Sequence, residues 1–389
     1  MALENRDRHK QIQRWWKDFY CRLVKIFVLI LAVTFIINLI KKDGTFSEEE
    51  NRVLAKRPEF TWDSVKSGKY MAEFETYISD QFFARNQWIT LKLYEDRFLG
   101  KRESNGVYLG KKGYLMEAAD NPDWGNVEKN MDSMASFAEK YPDVPVYLSL
   151  VPNAAYILKD KLPYGAPCRD QSEDIQKVNS MAGDSIQVIR VEEALKKHAK
   201  EDIYYRTDHH WTSLGASYAF EKLAEEMKIE NPETDYQVYI VADDFEGTLA
   251  SKSGYHKSRD AIQVYEPKSH DTEYIVMYVE EGSKSASIYK SECLQEKDKY
   301  TVFFGGNHAR IDISTTLKEE RNLLLVKDSY ANCMVQFLLP YYQNIIMIDP
   351  RYFYESVDNI MGSYGITEVL FLYNVNTFLG DHSIADVLA

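Results

Sequence analysis

Asp208, His209, His210 and Trp211 stand side by side within residues 204–220, and a chain with eight histidines spends two of them beside this carboxylate. A serine hydroxyl becomes a useful nucleophile when an imidazole takes its proton, and the imidazole works best when a carboxylate fixes its tautomer. Asp208 and His210, one residue apart, can supply that pair from a single turn. His209 then points elsewhere, into structure or toward substrate, and Trp211 is placed to pack beneath the imidazole and exclude water. The plainer alternative is a loop histidine doublet capped by Thr207. A metal site is the other, since one Asp and two His are good zinc or manganese ligands. Neighbours in one tripeptide rarely complete such a site, and a further ligand such as His308 would have to join them. The segment is therefore read without a metal, and nothing in the chain calls for a cofactor.

Residues 322–339 offer the serine. Leu323 to Val326 reads as a short buried strand and 330–339 as a helix, which makes Lys327, Asp328 and Ser329 the turn between them. Ser329 would then stand at the C-terminal edge of a parallel sheet, where open α/β folds place their ligands. The free N–H groups of a helix start can also donate to a developing oxyanion. The simpler use of a serine at such a corner is as a helix cap.

Elements must exist to hold this serine and this histidine together. A helix near 126–140 precedes the continuous apolar run at 144–153, which is typical of a strand buried on both faces. A second helical stretch from about Ser172 precedes the strand-like 185–191, and a third helix runs from Leu214 to Met227. Alternation of this kind indicates βαβ units and a parallel sheet. Between about 236 and 316 the pattern turns β-rich, with short strands separated by Gly, Ser, Asp and Lys, and reads as an antiparallel insertion. The α/β pattern then returns. Upstream, residues 105–116 read as a hairpin with glycines at its turn. Met71, Phe74, Ile78, Phe82 and Phe83 recur at helical spacing, and this stripe reads as core.

The N-terminal part differs in character. Arg6, Arg8, Lys10, Arg14, Lys17, Arg22 and Lys25 lead into an apolar run ending at Ile40, with Lys41 and Lys42 following. Counted from Leu23, the run is long enough to cross a bilayer, with Lys25 snorkelling. A basic leader before it and an acidic bulk after it predict the N-terminus inside and the remainder outside. No small-residue cleavage site follows, so the run reads as a retained anchor. The net charge of -13 argues against a nucleic-acid binder. Cys168, Cys293 and Cys333 are too few and too scattered for a disulfide framework and read as ordinary thiols.

Taken together, the stretches 207–212 and 327–332 resemble the bacterial DHHW protein family, which is similar to the alginate O-acetyltransferases of the SGNH-hydrolase superfamily. Further matching stretches lie at 50–58, at 74–85, around Gly113, at 151–153, at 244–254, around Gly305 and Gly306, and at 348–353. The resemblance implies an SGNH-hydrolase-like α/β fold: a parallel sheet flanked by helices with the β-rich insertion, preceded by one transmembrane helix. The implied layout is a cytoplasmic leader at 1–22, an anchor at 23–40, a linker with amphipathic helices at 41–104, and the α/β domain at 105–389. It implies Ser329 as nucleophile, His210 as base and Asp208 as the orienting acid. The implied role is O-acetylation of a cell-surface or secreted polysaccharide outside the membrane, often beside a multi-spanning membrane protein that supplies the acyl group. The alginate enzymes carry Thr-Ser where this chain has Asp328-Ser329, and their residue between Asp and His is not normally histidine, so His209 has no assigned role. In the mechanism that follows, the Ser329 N–H and Asn307 are candidate oxyanion donors, and Arg351 and Tyr352 candidate sugar contacts. The same three residues would equally serve a carbohydrate esterase. A non-catalytic polysaccharide-binding or assembly subunit is the alternative from another class.

Overall fold

The computed structural model describes residues 2–47, 52–269, 272–318 and 320–388. The side chains of 2–12 and of Arg52 lie outside the described residues, among them Arg6, Arg8 and Lys10 of the basic leader, as do Glu50 and Asn51 of the motif at 50–58. The chain divides into two compact units, Met1–Lys92 and Leu93–Ala389.

In the first unit, helix α1 (Ala2–Ile40) carries the apolar run. Its segment Gln13–Ile40 is long and apolar enough to cross a membrane, and none of its most apolar part is buried. Helix α2 (Lys69–Gln81) follows, and helix α3 (Arg85–Phe98) begins within this unit. The helical spacing of the apolar stripe is real, but the stripe is not core: Met71, Ile78 and Phe83 are exposed. What α2 buries instead is polar, Asp80 and Gln81. Gln81 brackets Gly44, accepting from its N–H at 2.8 Å and donating to its carbonyl at 2.9 Å, while the Asp80 carboxylate accepts from Ala55 N at 2.8 Å. These bonds hold the otherwise irregular linker.

The second unit is built on one large sheet. Its strands and the hairpin beside it are, in chain order, β1 (Val146–Val151), β2 (Gln187–Val188), β3 (Tyr236–Phe245), β4 (Asp260–Pro267), β5 (Tyr274–Tyr278), β6 (Ser283–Ser285), β7 (Arg310–Thr315), β8 (Asn322–Lys327), β9 (Asn344–Ile348) and β10 (Glu368–Asn374). Eight of them form a sheet in the order β6-β5-β7-β9-β8-β10-β1-β2. The run from β9 to β2 is parallel, and β7, β5 and β6 extend it antiparallel. The β-rich middle of the chain is thus divided: β5, β6 and β7 complete the main sheet, and among the described residues β3 and β4 pair only with each other.

The uninterrupted apolar runs of the central strands follow from coverage on both faces. Leu323 and Leu325 of β8 point into one core with Leu370, Leu372 and Tyr147, while Leu324 and Val326 point into the other with Phe371 and Leu148. Helix α4 (Trp124–Lys140), α5 (Gln171–Met181) and α7 (Val357–Tyr364) line the second core through Met134, Ile175 and Ile360. Helix α6 (Ser213–Glu226) lines the first through Ala219, Phe220 and Leu223. The layers are helix, sheet, helix. The expected hairpin near 105–116 belongs to a small three-stranded antiparallel sheet of Glu103–Ser104, Val107–Leu109 and Leu115–Glu117. All four cysteines are free, and of Cys168, Cys293 and Cys333 only Cys168 is not fully buried.

Candidate active site

β8, β10 and β1 end at the same edge of the sheet, in register through Lys327 opposite Leu372 and Asn374 opposite Val151. Ser329 stands just beyond β8. The helix expected at 330–339 is broken into a 3₁₀ turn (Ser329–Ala331), a short α-helix (Val335–Leu338) and a second 3₁₀ turn containing Pro340. Proline there has no N–H to continue a longer helix. The turn is capped by Asp328, not by Ser329: its Oδ1 accepts from Tyr330 N at 2.9 Å and its Oδ2 from Asn374 N at 2.9 Å. Ser329 is thereby free for other work. Among the described residues its own N–H donates to no backbone carbonyl or side chain.

Asp208 and His210 lie in a tight loop between the bridged residues Tyr204 and Trp211. Buried Asp260 ties down the approach to that loop by accepting from Arg206 N, Thr207 N and the Thr207 hydroxyl at 2.6–2.8 Å. Thr212 then caps α6 through Gly215 N. Within the loop, Asp208 Oδ1 accepts from His210 N at 3.0 Å and contacts His210 Nδ1 at 2.6 Å. Across the ring, His210 Nε2 lies 2.8 Å from Ser329 Oγ. With the carboxylate at Nδ1, that nitrogen carries the proton and Nε2 is left to accept from the serine hydroxyl. Burial opposes charge on Asp208, yet the charges of His209 and His210 and the hydrogen bonds from His210 hold its carboxyl well below the usual carboxylate range. His210 is pushed down to about 4, chiefly by burial, with the charges of His209 and Arg351 adding to the effect and Asp208 opposing it. A neutral imidazole joined to a hydroxyl on one side and a buried carboxylate on the other can deprotonate that hydroxyl as it attacks.

The second Asp208 oxygen shows a partner that the residue pattern did not reveal. Oδ2 accepts from both the N–H (2.8 Å) and the hydroxyl (2.9 Å) of Thr248, just after β3. Thr248 also takes up His209, whose Nδ1 lies 2.9 Å from the same hydroxyl. Gly247 precedes it because a Cβ at that position would overlap the Asp208 carboxyl. Gly247→Ala is therefore expected to displace Asp208 and lower activity by about 10²-fold, the cost of misplacing a catalytic group by about an ångström. Turnover of p-nitrophenyl acetate, beside a thermal melt showing a retained fold, checks this.

Trp211 is fully buried but does not lie beneath the imidazole. Its Nε1 donates to Tyr330 O at 2.9 Å, fixing the turn that follows the serine. The platform is Tyr300, whose ring stacks on His210 at 3.9 Å and 15° and whose hydroxyl donates to Ser329 O at 3.0 Å. One side chain thus touches both the His210 ring and the Ser329 backbone. Tyr300→Leu should lower kcat/KM by about 10- to 100-fold, and Tyr300→Phe, which keeps the ring, by less; steady-state kinetics on the same ester separates the two. No spacing rule links Tyr300 to either partner, and only the fold brings it there.

The remaining candidates are placed as follows. Asn307 is exposed and, among the described residues, hydrogen-bonds to neither Ser329 nor His210. Arg351 follows β9, and one edge of its guanidinium, Nε and Nη2, grips the two oxygens of the buried Asp349 at 2.8 and 2.6 Å. Its charge still reaches His210. Tyr352 is exposed beneath the Arg351 guanidinium, 5.5 Å from ring centre. Asp208, His209 and His210 each offer a ligand atom within 4.8 Å of one another. Both Asp208 oxygens and both His210 ring nitrogens are, however, already engaged as described. His308 is engaged elsewhere, with Glu281 at 2.9 Å and Phe304 O at 3.0 Å.

The model of the DHHW protein family matches residues 131–348. No curated protein matches the chain. Among solved structures, a DHHW family protein from Eubacterium siraeum is similar with a TM-score of 0.63 and 24% identity, covering 73% of this chain and 95% of that one. Bacillus cereus PatB1, solved with a sulfonyl adduct, is similar with a TM-score of 0.60 and 20% identity, covering 71% of this chain and 96% of that one. These likenesses share the fold described above.

Proposed function

The chain belongs to the DHHW protein family, and on that premise we propose that it is a membrane-anchored O-acetyltransferase of a cell-surface or secreted polysaccharide. Its second unit is read as an SGNH-hydrolase-like domain carrying a Ser329–His210–Asp208 triad. The observation that carries this reading is the unbroken hydrogen-bonded run from buried Asp208 through His210 to Ser329. Transfer to a sugar, in preference to water, is read from the sequence similarity to the alginate O-acetyltransferases.

In the first step Ser329 Oγ attacks the carbonyl carbon of a donor acetyl ester while His210 Nε2 takes its proton. The carbonyl electrons move onto oxygen, which accepts a hydrogen bond from the Ser329 N–H; Asn307 is the candidate second donor. The intermediate collapses, the donor oxygen leaves with the proton from His210, and acetyl-Ser329 remains. In the second step His210 takes the proton of a sugar hydroxyl, whose oxygen attacks the acetyl carbon, and Ser329 recovers its proton on leaving. Arg351 and Tyr352 are assigned to the acceptor sugar, and His209 to the rim of the same site. Helix α1 anchors the chain with its N-terminus in the cytoplasm and the catalytic unit outside. A multi-spanning membrane protein supplies the acyl group.

Because the base works as a neutral imidazole and His210 is held near 4, kcat/KM should stay level from neutral pH down to about 5 and fall below about 4 as the ring takes a proton. A pH–rate profile with an activated acetyl ester checks this. The function itself is tested by incubating the purified chain with p-nitrophenyl acetate and a panel of neutral and acidic oligosaccharides. Acetylated sugar that depends on Ser329 supports transfer. Release of free acetate alone, whatever the acceptor, would replace the transferase with an esterase.

A further inference from the structure

The turn between α2 and α3 takes no part in acyl chemistry, yet it is bonded to the apolar helix. Phe83 N donates to Asn38 Oδ1 at 2.7 Å, and Asn38 Nδ2 donates to Thr34 O at 2.9 Å. Lys41 Nζ donates to Gln81 O at 3.1 Å, and Tyr77 OH to Asp43 Oδ2 at 2.9 Å. Asn38 lies two residues before the end of α1, about 3 Å along its axis. The uncharged run from Ile26 to Ile40 spans only about 22 Å, less than the ~30 Å of a bilayer's hydrocarbon core. If α1 spans a membrane, Asn38 therefore lies at or inside the hydrocarbon boundary. A polar side chain there is costly unless paired, and the Phe83 N–H provides the partner.

That bond also fixes the depth of the turn. Its backbone is at the level of Asn38, with Ala84 held in the left-handed region at φ 56°. The side chains around it are apolar and uncovered: Ile78 is 47%, Phe83 41%, Trp88 50% and Leu91 56% exposed. Trp88 and Leu91 share one face of α3 by their spacing. Tryptophan and other amphipathic rings favour the headgroup level.

We propose that the α2–α3 turn is a lipid-seating surface. Ile78, Phe83, Trp88 and Leu91 enter the boundary between headgroups and acyl chains, beside the end of α1 and in the same leaflet. The occupant is the bilayer itself, because the bonds to Asn38 hold the apolar cluster at the depth where the lipid boundary falls. The inference rests on α1 as a membrane span.

The test uses the full chain reconstituted alone in phosphatidylcholine nanodiscs, with Cys21 and Cys168, the two cysteines that are not buried, changed to serine. An NBD dye is placed at Phe83→Cys and separately at Ile78→Cys. Val33→Cys within α1 and Lys69→Cys, whose side chain is 70% exposed at the far end of α2, are the references. Lipids with a doxyl group high on the acyl chain should remove most of the emission at 83 and 78 and little at 69, and lipids with the doxyl group deep on the chain should remove most of the emission at 33. Quenching at 33 with 83 and 78 as bright as 69 would overturn the seat while leaving the span intact, and would leave the face for a protein partner. No quenching at 33 would overturn the span and the seat together.

Discussion

Ser329→Ala is expected to abolish acyl transfer, with a loss on the order of 10⁶-fold in kcat where serine, imidazole and carboxylate act as a unit. The fold should survive. The turn is capped by Asp328, and its carbonyl contacts run through the backbone, so the hydroxyl's removal costs one hydrogen bond, to His210 Nε2. A single bond of this kind is worth about 1 kcal/mol. A thermal melt close to that of the unchanged chain, beside absent p-nitrophenol turnover, is the expected pair of results. A variant that melts far lower would instead make Ser329 a structural residue.

Asp208→Asn carries the second large effect, about 10⁴-fold in kcat, because the tautomer of the base depends on this carboxylate. The four groups that hydrogen-bond to Asp208 among the described residues are all donors: His210 N, His210 Nδ1, Thr248 N and the Thr248 hydroxyl. An amide has one accepting oxygen and one donating NH₂, so whichever way it turns it sets donor against donor. Turned toward His210, the NH₂ forces the proton onto Nε2, where it can no longer accept from Ser329. Single-turnover acetylation should slow by the full factor while ester binding changes little. A loss that appears in KM alone would place Asp208 in substrate binding.

The site was legible where chemistry is local in sequence. Asp208 and His210 sit within one turn, and Ser329 sits where an all-apolar strand meets polar residues, so type and spacing brought the three forward as candidates and the family resemblance implied their roles. The central sheet was legible for a related reason: strands covered on both faces lose the alternation of a half-exposed strand and read as unbroken apolar runs. The rest depended on contacts that no period encodes. Thr248 and Tyr300 reach Asp208, His210 and Ser329 from the β-rich middle of the chain, where strands β5 to β7 look like an insertion until their partner β9, far downstream, completes the sheet. The apolar stripe around Ile78 and Phe83 had helical spacing but not a core to face, since spacing fixes which residues share a side and not what covers it. Trp211 was placed one residue from the imidazole in sequence, and the loop's reversal at Tyr204 and Trp211 turned it toward Tyr330 instead.

The central claim is that Ser329 carries the acetyl group. The direct measurement is intact-mass spectrometry of the chain mixed with p-nitrophenyl acetate and quenched in acid within the first turnover, followed by peptide mapping. The account predicts one added acetyl group, located on Ser329 and missing from Ser329→Ala. An acetyl group on another residue, or none from a folded sample that still releases p-nitrophenol, would contradict it.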